Sequence, residues 1–400
     1  MTPPVNLKAT ADELLPELRD LQRRLLTVGG GTSLICALGL ILNPAQFFRS
    51  YLTVYMLLLS VTLGSLAVAM VHQVSGGAWG VVIRRVVGAA SRTLPMLTAL
   101  FIPIAIGMRS LYPWTDSALV AQDAALQWKH PYLNVPFFLV RAFVYFASWN
   151  VLGFFLNRWS VEQDATGDPA MAGRMQKLAA GGLLIYGLTI TFAAFDWVMS
   201  LEPHWFSTIF GVLLMGGQGL SGMAFAIFAV AWLSRRAPLN RLVTPNHFHD
   251  LGNLLLAFTM LWAYFGFSQY LLIWSGNLPE ETEWYVHRSA HGWQFVGLAL
   301  VVFHFAVPFA LLLLRTTKRR SETLAKLAVM ILVMRYVDLF WLTQPAFHRE
   351  VLYVHWLDVV LPLALGALWL GAFVYQLRGR ALLPLYDPEF TEAVGHVRTA

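Results

Sequence analysis

The chain has 400 residues, 57% of them hydrophobic and 12% charged, whereas soluble domains carry about 25% charged residues; a polytopic membrane protein is expected. Its formal charge of +6 does not point to nucleic acid, because basic residues of membrane proteins collect on cytoplasmic loops. A single cysteine, Cys36, excludes an internal disulfide, a covalent CxxCH haem site and a four-cysteine iron–sulfur cluster.

Residues 1–27 read as a cytoplasmic amphipathic leader. Leu14, Leu15, Leu18, Leu21, Leu25 and Leu26 recur at helical spacing opposite Glu13, Glu17, Arg19 and Arg23, so the segment lies on the membrane surface or against a partner, or is an ordinary solvated helix. Ten apolar stretches follow, each near the ~20 residues that a spanning helix needs. They run over 28–46, 51–74, 88–109, 134–157, 177–200, 206–233, 251–275, 286–314, 324–343 and 355–377. The fold class is therefore all-α, with spans one to five in residues 28–205, spans six to ten in 206–377, and a cytoplasmic tail at 378–400. Placing the N-terminus inside puts 21 of the 28 Lys and Arg on inner segments and 5 on outer ones, so both termini are expected in the cytoplasm.

An ionisable side chain near the bilayer centre costs roughly 2.5 to 3.5 kcal/mol, so each one needs a reason. In chain order, Arg141 lies in span four and Asp196 near the outer end of span five, at comparable depth on consecutive antiparallel helices. Gln218 lies deep in span six; His249, Asp250 and Asn253 sit at the inner edge of span seven; His304 lies in span eight. Arg335 and Asp338 are three apart in span nine and share a helix face. Together these nine residues are candidates for a polar path across the membrane. The competing readings are a structural ion pair for each Arg–Asp couple, a packing histidine for His304, and a solvated helix end for the group around His249. In the turn FDWVMSLEPHWFSTIFG, Pro203 breaks the helix, leaving Glu202 and His204 to water or a partner.

Other chemistries lack their residues. No lysine lies mid-span for a retinal Schiff base, and there is no GxxxxGK[ST] for ATP. His287 and His291 in HRSAH have ligand spacing without the glutamate of HExxH, and His72 and His304 fall at different depths, which counts against a haem held between them.

Three stretches, HQVSGGAWGVVIRRVVGAASRTLP, FDWVMSLEPHWFSTIFG and HDLGNLLLAFTMLWAYFGFSQYLLIWSGNLPEETEWYVHR, resemble the NrfD/polysulfide-reductase-type membrane subunits of alternative complex III, a bacterial quinol:electron-acceptor oxidoreductase. The resemblance covers nearly the whole chain from Gln46 to Leu377. It implies two four-helix bundles, spans two to five and six to nine, flanked by spans one and ten, in the bacterial cytoplasmic (inner) membrane. It also implies oxidation of menaquinol or ubiquinol at the outer side, with proton translocation through the NrfD-type subunits. Electrons would pass through iron–sulfur clusters and haem c on partner subunits to a cytochrome or terminal oxidase, this chain binding no cofactor covalently. The implied partners are the NrfD-type paralogue ActC, an iron–sulfur subunit, multihaem and monohaem cytochrome c subunits, and membrane lipids. The family's polar intramembrane positions fall on Arg141, Asp196, His249, Asp250, Arg335 and Asp338, and Arg141 with Asp196 is the implied quinone-binding pair. Whether menaquinone or ubiquinone binds this chain rather than its paralogue stays open. The residues alone also allow a stand-alone secondary transporter or a structural anchor for electron-transfer subunits.

Overall fold

A computed structural model describes residues 7–168, 170–236, 239–378 and 383, with side chains described from Leu14 onward except that of Arg241. The tail, apart from Arg378 and residue 383, lies outside the described residues. Among them the chain is all-helical. Its long helices are α1 (Leu7–Leu42), α2 (Pro44–Ser75), α3 (Ala78–Ile106), α4 (Val135–Thr166), α5 (Ala170–Trp197), α6 (Phe210–Leu233), α7 (Pro245–Gly276), α8 (Trp293–Leu313), α9 (Ser321–Thr343) and α10 (Leu357–Leu377). Nine of these, all but α9, contain a stretch long and apolar enough to cross a membrane, that of α1 running from Leu14 to Leu42. Any stretch of α9 long enough to cross contains Lys326, Arg335 and Asp338.

Helix starts follow local chemistry. The Asn43 carboxamide accepts from the Gln46 N–H at 3.1 Å, with Pro44 at the first helical position of α2; Asn134 does the same for Phe137 at the start of α4. Pro95 and Pro103 lack an N–H to donate, and α3 is interrupted just before each of them.

α2 and α6 form the buried centre and pack on one another. Their backbones touch: a Cβ on Gly64 would stand 1.8 Å from the Gln218 carbonyl oxygen, and one on Gly222 would stand 2.3 Å from the Gly64 carbonyl carbon. Glycine here removes a side chain so that two helices can close on each other. α3, α4 and α5 gather beside α2, while α7, α8 and α9 gather beside α6; α1 and α10 pair with each other along the outside of α2.

Three sequence expectations change. The leader is not a separate surface helix, because α1 runs unbroken through Gly29, Gly30 and Gly31. Gly29 belongs to a packing face, where a Cβ would meet the Leu368 backbone at 2.9 Å, as one on Gly371 would meet Leu26 at 2.8 Å; a Cβ on Gly30 or Gly31 would meet nothing within 4 Å. The third span starts at Ala78 rather than at 88, after a reversal through Gly76 and Gly77, both at positive φ. Arg84 and Arg85 therefore lie inside the helix, buried, with Arg84 donating to Gln163 at 3.1 Å and Arg85 paired with Asp164 of α4. The eighth span is divided, a short helix Pro279–Arg288 turning through His291 and Gly292, both at positive φ, before α8 begins.

Hydrogen bonds near the helix ends tie the elements together at both ends of the molecule. At one end Gln344 donates to the Arg49 carbonyl, and Glu202 meets Arg288. At the other, Arg92 donates to the Gln376 carbonyl at 2.9 Å and Lys318 to Asn253 at 2.7 Å.

Candidate functional site

The first polar cluster joins α4 and α5. Arg141 donates from Nε to Asp196 Oδ2 at 2.8 Å and from Nη2 to Oδ1 at 2.9 Å, a bidentate pair. Tyr145 donates to Oδ2 at 2.8 Å, and Arg141 uses Nη1 on the Tyr132 carbonyl. The guanidinium also lies over the rings of Tyr132 and Phe137, 3.8 and 4.4 Å from their centroids. Asp196 is wholly inaccessible. Both oxygens of its carboxylate are engaged within the chain, and this is the geometry of a closed structural bridge.

The second cluster, between α5, α6, α7, α8 and α9, is built differently. Arg335 meets Asp338 Oδ2 one helical turn on, and Trp262 of α7 donates to the same oxygen at 3.2 Å. The arginine lies against bare α6 backbone, since a Cβ on Gly217 would fall 2.2 Å from its Cζ. Beside it Tyr186 of α5 donates to Gln218 at 2.6 Å, and His304 stands edge-on to Trp262 with ring centroids 4.3 Å apart. His304 occupies the middle of a π-helical turn, Leu300–Ala306, a widening of the helix that recurs at functional sites.

Here the hydrogen bonding is incomplete. Arg335 Nε and Nη2, Gln218 Nε2 and both ring nitrogens of His304 are buried without partners. Buried polar groups are almost always satisfied by protein or water; the first cluster also leaves Tyr132 Oη and the Trp197 indole N–H without partners, but neither Arg141 nor Asp196, whereas here the charged residue itself is under-satisfied.

A cavity of about 790 Å³ leads to it. Its walls come from α7, α8, α9 and the Pro279–Arg288 helix, with Trp262, Tyr285, Leu300 and Trp341 in the lining and Asp338, Gln269, Arg288 and Gln294 as its polar groups. Tyr264, Phe267 and Val301 at its rim are 64%, 62% and 60% exposed, so the opening faces sideways, on the apolar flank of the helices.

Arg288 and Glu202 form a third buried pair that sequence reasoning missed. Arg288 donates from Nη2 to Glu202 at 2.7 Å and to the carbonyls of Trp284, Trp341 and Leu342, with its Cζ 3.6 Å over the Trp284 ring. Burial pulls the guanidinium below its ordinary pKa, and Glu202 opposes this. Glu202 is thus held by its own chain, not left to water or a partner; exposed His204 meets Asp123 at 2.6 Å. Replacing Arg288 with methionine should strand a buried carboxylate, and breaking such a pair costs about 3–5 kcal/mol. Denaturation of the purified variant would show this as a clearly lowered midpoint, with Glu202→Gln milder; an unchanged midpoint would mean that the pair contributes nothing.

The remaining candidates stand apart. His249, Asp250 and Asn253 sit in the first turns of α7, half-buried or exposed, with Asn253 tied to Lys318. Trp262 is nine residues further along α7, about 13 Å at 1.5 Å per residue. No hydrogen bond among the described residues links that group to Asp338. The two interior clusters share α5, where Tyr186 and Asp196 are ten residues, about 15 Å, apart. His72 packs at the far end of α2, its Nε2 3.1 Å from the Gly77 carbonyl. No family model matches this chain, and no curated protein matches it either.

Proposed function

We propose that the chain is an integral membrane subunit of a bacterial quinol:electron-acceptor oxidoreductase of the alternative complex III type, and that its second half handles the quinol and its protons. The observation that carries this reading is the sideways-opening, aromatic-walled cavity that reaches Asp338, backed by Arg335, His304 and Gln218 with unpartnered nitrogens. A quinone has an isoprenoid tail and a small hydrogen-bonding ring, and a slot of this kind suits both parts. The quinone-binding residues of the proposal are therefore Asp338 and Trp262 rather than Arg141 and Asp196, whose hydrogen bonds are already taken up. Menaquinol and ubiquinol fit this description equally.

In this reading Asp338 Oδ1, which neither Arg335 nor Trp262 occupies, accepts a hydrogen bond from the quinol hydroxyl. Arg335 pairs with this carboxylate, which takes the proton, and the electrons leave to iron–sulfur clusters and haem c on partner subunits. The topology that goes with it counts α9 as a tenth crossing, places both termini in the cytoplasm, and groups α2–α5 and α6–α9 as two bundles flanked by α1 and α10. Lys326, Arg335 and Asp338 are tolerated in α9 because α9 packs on α2, α6 and α8.

Purification from native bacterial inner membranes in mild detergent tests the proposal. Co-purification with haem c and iron–sulfur proteins, together with quinol oxidation, is the expected result. A colourless, isolated polypeptide would overturn it and favour a secondary transporter that uses the same buried charges for coupling.

A further inference from the structure

A second polar feature lies outside this site. Arg19 and Arg23 of α1 and Arg378 at the end of α10 line one cavity of about 530 Å³, together with Gln22, Leu26 and Thr27. Among the described residues no carboxylate is paired with any of the three. Glu17, two residues before Arg19, is engaged by Arg236, and Asp20 makes no ion pair among the described residues. Arg378 is held by Gln22, yet its Nε is buried without a hydrogen-bond partner. Arg19 and Arg23 are four apart on the helix, where like charges destabilise each other by a few tenths of a kcal/mol. Three guanidinium groups converging without an acid form a receptor for an anion with several oxygens.

The surroundings say what kind of anion. The cavity lies at the basic end of the molecule, where Arg92 reaches the Gln376 carbonyl. Beyond it α1 exposes Leu26, Val28 and Leu34, and α10 exposes Tyr375. Among the described residues the charged mouth is therefore continuous with an apolar helix flank. We propose that Arg19, Arg23 and Arg378 seat the phosphate head of an anionic phospholipid whose acyl chains run along α1 and α10. Such a lipid would tie together the ends of the two flanking helices.

The test uses the full-length protein purified in neutral detergent and titrated with phosphatidylglycerol, phosphatidylcholine or inorganic phosphate. Bound lipid is read by native mass spectrometry and thermal stability in parallel. Phosphatidylglycerol should be retained and should raise the midpoint, while phosphatidylcholine should do neither. Inorganic phosphate at the same concentration should have little effect, because it gains nothing from the apolar flank. A basic residue near a membrane surface contributes about 1 kcal/mol toward an anionic lipid, so Arg19→Gln at its exposed position should weaken retention roughly fivefold. Arg19→Lys should recover most of that loss. The triple glutamine variant should lose selectivity between the two lipids. Equal retention of both lipids by the wild-type protein, or an Arg19→Gln variant that binds phosphatidylglycerol as the wild type does, would overturn the proposal. Stabilisation by phosphate alone as strong as that by the lipid would overturn the acyl-chain part.

Discussion

Replacing Gly64 with valine will leave almost no folded protein in the membrane. The first atom of any side chain at this position would fall 1.8 Å from the Gln218 carbonyl oxygen, and the obstacle is helix backbone, which cannot rotate away as a side chain can. α2 and α6 would have to separate, and α1, α3, α5, α7, α9 and α10 each pack against one or both of them. Gly222→Val should act in the same way from the opposite side. Overpacking in ordinary cores costs about 1–3 kcal/mol; forcing two backbones apart exceeds that range, and total stability is only about 5–15 kcal/mol. Gly30→Val is the control, since no atom lies within 4 Å of a Cβ there. Fluorescence-detected gel filtration of tagged variants should show aggregate for the first two substitutions and a normal peak for the third. Monodisperse Gly64→Val protein would mean that the crossing of α2 and α6 is looser than described.

Asp338→Leu carries the second large effect. Arg335 has no exposed surface, and Asp338 is its carboxylate partner among the described residues, so removing the acid leaves a buried guanidinium uncompensated. Breaking a buried pair costs about 3–5 kcal/mol, whereas replacing both partners by apolar residues of similar volume is often neutral or stabilising. Arg335→Met combined with Asp338→Leu should therefore recover most of the stability that either change loses alone. Denaturation midpoints of the four proteins give the coupling directly. If the single and double variants simply add, Arg335 is stabilised by something other than this carboxylate.

Much of this arrangement can be read from residue order, for identifiable reasons. Arg141 and Asp196 can be matched because two charges at equal depth on consecutive antiparallel helices have few other partners. Arg335 and Asp338 are three apart on one helix, a local relation that needs no fold. The other members of the second cluster come from distant parts of the chain: Trp262 and Tyr186 are an unremarked tryptophan and tyrosine until α5, α7 and α9 are brought together. Glu202 and Arg288 are 86 residues apart, and nothing near either one announces the other. Gly29 shows its reason only once α10 lies against it, because Leu368 fills the place of its side chain. The start of α3 was displaced for a related reason, because Arg84 and Arg85 look like loop charges until Gln163 and Asp164 of α4 are available to bind them.

Turnover of the assembled complex carrying both Arg335→Met and Asp338→Leu tests the central claim most directly. Reconstituted into proteoliposomes with the haem- and cluster-bearing partners of the proposed function, this complex should remain intact yet lose the proposed quinol oxidation and coupled proton movement, since a packed apolar pair can hold helices together but cannot accept a proton. Wild-type rates and proton stoichiometry from the same particle would contradict the account and reduce the buried charges of α9 to scaffolding.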